Sequence, residues 1–106
     1  MRAGALRHVV AIEGATLTRG EGGVDAEAWT EEATVAASVE PLAGRELFAA
    51  QQAGSRVSHR VRMRYRPGVT PAKRLVYRGR VLNILSAIDV GERRRELEML
   101  VEEVTG

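Results

Sequence analysis

Residues 57–66, Val-Ser-His-Arg-Val-Arg-Met-Arg-Tyr-Arg, constrain the fold more than any other stretch of the chain. Val57, His59, Val61, Met63 and Tyr65 alternate with Ser58, Arg60, Arg62, Arg64 and Arg66. Successive side chains of a strand point to opposite faces, so this period of two predicts a strand with one packed and one cationic face. Pro67-Gly68 then turns the chain.

The neighbouring segments are read against this strand. Residues 7–13 are short and β-branched, which predicts a first strand. Residues 33–40 place Val35, Ala37 and Val39 on one face and predict a second, ended by Pro41, which cannot donate to a sheet ladder. Between them, residues 14–30 contain Gly20, Gly22 and Gly23, reach Trp29 and show little apolar period. That stretch predicts a long mobile loop, beyond the length of an ordinary connection. Residues 45–53 carry good helix formers and no β-branched residue, with Gly44 before and Gly54 after, and predict a short helix.

Two further β runs, at 74–78 and 80–88, flank Arg78-Gly79, a tight hairpin signal. Asp89-Val90-Gly91 marks another turn. The C-terminal stretch fits two patterns. Leu97, Leu100, Val101 and Val104 suit a helix face; Leu97, Met99 and Val101 between Glu96, Glu98 and Glu102 suit a strand. Periodicity alone slightly favours the helix, while the preceding hairpin run favours the strand, which is the expectation taken. The sum is a mainly β chain, a small antiparallel barrel or sandwich of about six strands with one short helix. At 106 residues the length predicts one domain, 1–106. Aromatic residues are only 4%, so the core must be built from Val, Leu, Ile and Ala, and support from neighbouring subunits fits such a core.

The net charge of +2 hides an asymmetry. Residues 1–55 carry a net −4, residues 56–80 carry nine basic and no acidic side chains, and residues 81–106 carry a net −3. A central cationic block suits a surface that meets a polyanion or an acidic partner. The four arginines at alternate positions would form a row about 20 Å long, able to follow a phosphate backbone by charge alone. The opposing reading pairs them across the sheet with Glu96, Glu98 and Glu102. Both readings stay open. No aromatic residue shares the arginine face, so base stacking is not indicated.

Little else carries chemistry. There is no cysteine, which removes disulfides, thiolate zinc sites and cysteine nucleophiles. His8 and His59 are the only imidazoles, and neither has metal-ligand spacing around it. Ser58 and His59 are adjacent, but strand neighbours point to opposite faces, so the pair does not read as catalytic. Gly20–Gly23 lacks the Gly-Lys-Ser/Thr of a phosphate loop. The expectation is no catalytic residue, no metal and no cofactor. No apolar run approaches the ~20 residues of a membrane span, so a soluble intracellular protein without membrane contact is expected.

Taken together, the ordered segments resemble a known family. They are Leu6-Arg7-His8-Val9-Val10-Ala11-Ile12, Glu27-Ala28-Trp29, Val39-Glu40-Pro41-Leu42-Ala43-Gly44-Arg45-Glu46, Ser58-His59-Arg60-Val61-Arg62-Met63-Arg64-Tyr65, Arg78-Gly79-Arg80-Val81-Leu82-Asn83-Ile84 and Arg93-Arg94-Arg95-Glu96-Leu97-Glu98-Met99. The family is that of phage head–tail joining proteins, also called head closure or stopper proteins, of tailed phages and gene transfer agents. Each motif is a common strand-and-turn pattern; the ordered set is the specific signal. The resemblance implies a small β-barrel with a long loop, a short helix and a closing C-terminal strand. It implies a non-enzymatic virion protein assembled as a ring in the host cytoplasm, meeting a portal-bound adaptor and a tail terminator or tail tube. Non-specific contact with packaged DNA belongs to the same picture.

By this logic Glu40, Pro41, Arg45, Glu46, Leu47 and Phe48 are candidates for subunit or adaptor contact. Arg60, Arg62, Arg64 and Arg66 are candidates to face DNA or a partner, and Gly20, Gly22, Gly23 and Trp29 belong to the candidate mobile loop. One departure stands at Ala36-Ala37, where the family pattern leads one to expect a bulkier strand residue, often Trp. A tail-terminator ring protein and a free-standing nucleic-acid-binding barrel are the alternative classes.

Overall fold

The computed structural model describes residues 6–19, 22 and 25–104. Its elements are β1 (His8–Arg19), β2 (Asp25–Pro41), α1 (Gly44–Gln52), β3 (His59–Arg64), β4 (Lys73–Tyr77), β5 (Arg80–Asp89), a 3-10 turn at Val90–Glu92 and β6 (Glu96–Val104). The strands close into an antiparallel barrel in the order β1-β2-β3-β6-β5-β4. The C-terminal stretch is therefore a strand. It fills the place between β3 and β5 and so completes the closure.

The barrel interior is aliphatic, as the composition requires. Every strand contributes: Val10 and Ile12, Ala37 and Val39, Val61 and Met63, Leu75 and Tyr77, Leu82 and Ile84, and Leu97, Met99 and Val101 are all buried. Tyr77 is the one aromatic among them, and the His8 ring meets it edge-on with centroids 5.2 Å apart. The β4–β5 hairpin turns on two residues, Arg78 (φ 51°) and Gly79 (φ 75°). Positive φ at both central positions is the geometry whose twist matches the flanking strands, and it explains why glycine stands there.

The long loop expected at 14–30 is not what the chain forms. β1 runs on to Arg19 and β2 starts at Asp25, so most of that stretch is a hairpin paired from Gly14↔Thr30 to Arg19↔Asp25. Gly22 lies in the short connection; Gly20 and Gly23 fall outside the described residues. β4 accompanies β1 only from Ala11 to Gly14, and β3 accompanies β2 only from Ala37 to Pro41. Beyond those points the hairpin leaves the barrel as a two-stranded arm. The arm accounts for a long axis of 49 Å against 32 and 26 Å.

A bulge sets the root of the arm. The β1–β2 register passes from Ile12↔Ala33 to Glu13↔Glu31, leaving Glu32 as the extra residue. Bulges bend the strand that carries them and re-aim its side chains. Here Glu32 reaches Lys73 Nζ at 2.7 Å, across Gly14. A Cβ at Gly14 would run into the Glu32 carboxylate and come within 2.9 Å of that same ammonium, so glycine leaves room for the pair. Beside it, Arg74 Nε contacts the Glu13 carboxylate at 2.7 Å while the Trp29 ring lies 4.2 Å from the Arg74 guanidinium. Trp29 thus holds the base of the arm, a strand residue in place of the loop residue expected.

Candidate functional site

The barrel has two unlike ends. One carries α1, the start of β3 and the β4–β5 turn. The other carries the end of β3, the β5–β6 turn and the root of the arm. The antiparallel pairing fixes this division, since Pro41 lies opposite His59 while Arg64 lies opposite Glu96.

At the helix end four arginines have carboxylate partners. Arg60 contacts Glu46 of α1 at 2.9 Å and Glu98 of β6 at 2.8 Å. The Glu46 hydrogen bond holds the Arg60 pKa above its ordinary value, against the opposing effect of burial. Arg62 lies 3.8 Å from the other Glu98 oxygen, Arg56 is 3.7 Å from Glu102, and Arg80 meets Glu103 at 2.9 Å. The cross-sheet reading of the arginine row therefore holds for Arg60 and Arg62, through Glu98, with Glu46 as a partner that strand spacing did not reveal. Glu102 serves Arg56 instead of the row.

The adaptor-contact candidates lie on this end. α1 buries none of its residues, and Phe48 is 64% exposed. Glu40, Pro41 and Arg45 are exposed and Leu47 is half-buried. Ser38 donates to the Glu40 carboxylate at 3.4 Å. Glu46 is committed to Arg60, so of the six residues Phe48 offers the largest free apolar surface.

Ser58 and His59 need a correction. The hydroxyl of Ser58 lies 2.8 Å from His59 Nδ1, not on the opposite face. Ser58 precedes the first residue of β3, so strand alternation does not govern it. Its oxygen also accepts the Glu103 amide at 2.8 Å, and its own amide donates to the Val101 carbonyl at 2.8 Å. The hydroxyl is engaged in tying this turn to β6, which leaves it poorly placed as a nucleophile. Burial lowers the His59 pKa; Glu103 opposes that shift and Arg80 adds to it. Among the described residues there is no group of three or more His, Cys, Asp or Glu able to hold a metal, and no helix long and apolar enough to cross a membrane.

At the arm end Lys73 and Arg74 are paired at the root of the arm, but a group of five arginines is not. Arg64 and Arg66 are exposed, and so are Arg93, Arg94 and Arg95 of the β5–β6 turn. The Arg64↔Glu96 register and the 3.0 Å bond from the Tyr65 amide to the Arg95 carbonyl bring the two segments side by side. Arg94 adopts φ 55°, and its amide donates to the Asp89 carboxylate at 2.9 Å, which fixes the turn. Among the described residues, none of these five guanidinium groups lies within 4 Å of a carboxylate. The Arg93–Arg95 contribution was hidden in a C-terminal segment, residues 81–106, whose net charge is negative. Next to the cluster, Leu6, Val35, Ala36, Tyr65, Arg64 and Arg66 line a concavity of about 450 Å³. The small Ala36 helps keep it open, at the position where the family pattern leads one to expect bulk.

The fold is matched among known proteins. The profile of the phage head completion protein family matches residues 1–104. The chain belongs to that family. Its fold is shared by protein SF1141 from Shigella flexneri 2a, known from a solution structure, at 29% identity and a TM-score of 0.75 over 97% of this chain and 96% of that one. It is also shared by a chain of the virion of a native gene transfer agent particle, at 19% identity and a TM-score of 0.65 over 95% and 97%. No curated protein matches the chain. Head completion is a structural role in the virion, and the family is not a known enzyme class. In a head completion protein the two ends just described are the natural places to look for neighbours.

Proposed function

We propose that the chain is the ring-forming subunit that closes the phage head, joining the portal-bound adaptor to the tail and helping to retain packaged DNA. Family membership supports this reading, as does the likeness to a chain of a gene transfer agent virion. The observation that carries it is the division of one closed barrel into two chemically unlike ends. A subunit inserted between two different assemblies has to present two different surfaces. α1, with its exposed Phe48 and Arg45, and the exposed Glu40 and Pro41 at the end of β2 face the adaptor. Large aromatic side chains at such exposed positions are the usual anchors of an interface. The assembled ring narrows the channel below the portal, and that obstruction retains the DNA; contact with phosphate is non-specific and follows salt. Assembly takes place in the host cytoplasm, and the finished ring meets the tail terminator or tail tube.

The test is a pull-down from lysate of assembling particles with tagged protein, followed by imaging of the bound complexes. Portal–adaptor connectors carrying an added ring at their distal end are the expected result, with Phe48→Ala reducing their recovery. Recovery of tail tube without portal would make the chain a tail terminator. A second reading, a free-standing DNA-binding barrel, is favoured by the five unanswered arginines of the arm end. Recovery of nucleic acid alone, lost as salt rises, would establish that one and sink the closure role.

A further inference from the structure

The arm is acidic and the end from which it emerges is basic. Residues 15–33 carry one basic and five acidic side chains, a net −4. In the arm Leu17 pairs with Glu27, and directly paired residues of an antiparallel ribbon project from the same face. Leu17 is 71% exposed, and Glu27 is exposed beside it. The arm thus presents an apolar knob next to a carboxylate. The concavity at the arm end has the inverse composition, with Leu6, Val35, Ala36 and Tyr65 lining it together with the exposed Arg64 and Arg66.

We infer that Leu17 of one subunit seats in this concavity of the next copy of the chain, where Glu27 meets Arg64 and Arg66. The inference rests on the ring reading above and names the contact that makes the ring. The arm cannot serve its own barrel. Glu27 stands eight to nine residues along β2 from Val35 and Ala36, about 27 Å of extended strand. The complementary surfaces differ from one another, so the contact is head-to-tail and each subunit both gives and receives. Such contacts propagate, and they close into a ring when the rotation between copies permits. The edge of β2 from Ala33 to Ala36, beyond its pairing with β3, adds backbone groups that can pair with the neighbour.

The chain's lack of cysteine gives a direct test. In the variant combining Leu17→Cys and Ala36→Cys, oxidation of assembled connectors should produce a ladder of covalent oligomers on a non-reducing gel. Neither single variant should give a ladder beyond dimers. A disulfide needs Cα atoms within about 7 Å, which the two positions of one chain do not approach. Separately, Glu27→Arg should lower ring recovery at least about tenfold, and adding Arg64→Glu and Arg66→Glu should restore it. Circular dichroism confirms that each variant keeps its β structure. Connectors that carry rings but give no ladder, or a charge swap that does not restore assembly, overturn this contact and leave the ring reading standing. Wild-type connectors that carry no ring overturn the ring reading itself. An unrestored swap that also abolishes salt-sensitive DNA binding assigns the arginines to nucleic acid instead.

Discussion

The helix end and the arm end of the barrel draw on the same six strands, yet Arg56, Arg60, Arg62 and Arg80 at one end have carboxylate partners while the five clustered arginines at the other have none among the described residues. The difference comes from what each end can place within reach. At the helix end, α1 folds back to offer Glu46, while β6 contributes Glu98 and Glu102 opposite β3. At the arm end β6 is preceded by three consecutive arginines, and its first carboxylate, Glu96, faces Arg64 without closing an ion pair among the described residues. Half-buried charges that are paired stabilise the fold of the subunit. Exposed charges of one sign do the reverse, through mutual repulsion, and are retained where something outside the subunit answers them.

That contrast can be broken most directly by removing charge from each end in turn. Glu98→Ala leaves Arg60 and Arg62 without their shared partner and is expected to cost about 1–2 kcal/mol, since these groups are only partly buried. Arg94→Ala at the other end is expected to change stability by less than about 0.5 kcal/mol. Urea denaturation of the two variants measures both; equal losses would mean that the ends do not differ as described. A somewhat smaller effect is expected at the root of the arm. Gly14→Ala pushes Glu32 off Lys73 and should cost about 1 kcal/mol, with faster amide exchange in residues 26–31 and unchanged exchange in β5 and β6. Uniform loosening of all strands would show that the arm is not hinged there.

The smallest effect is in pH. His59 has its pKa lowered from 6.5 in the fold, chiefly by burial, so below that value the unfolded chain binds more protons than the native one. Its contribution to stability is full above pH 6.5 and declines as pH falls through the interval down to the lowered native pKa. His59→Asn should flatten that part of the stability profile and leave the higher range unchanged. A slope that persisted in the variant would move the effect to another group.

Most of the barrel was legible in the sequence, and the reason is burial. β3, β4 and β5 each face a core on one side only, which imprints the alternation of apolar and polar residues, whereas in β6 Leu100 and Val104 also fit a helical face and only the pairing with β3 and β5 decides for the strand. The arm escaped notice for the same reason in reverse. Ala15, Thr16 and Leu17 are exposed alike, so no core selects a period and a real ribbon reads as a loop. The paired half of the arginine row was open to sequence reasoning through the neighbouring glutamates of β6. The unpaired cluster was not: Arg64 and Arg66 stand nearly thirty positions before Arg93–Arg95, and only the β3–β6 pairing unites them.

Closure of the sheet also has a mechanical consequence. Each barrel strand is laddered on both sides. A force along the strands therefore loads whole ladders in shear, and many hydrogen bonds must yield together. The arm is a ribbon with one ladder, loaded from its tip. It opens one residue pair at a time, from Arg19–Asp25 inward, until it reaches the bulge and the Glu32–Lys73 clamp. Under tension the same subunit is thus compliant at its reach and stiff at its body, and a strained arm can peel and re-zip while the barrel keeps its shape.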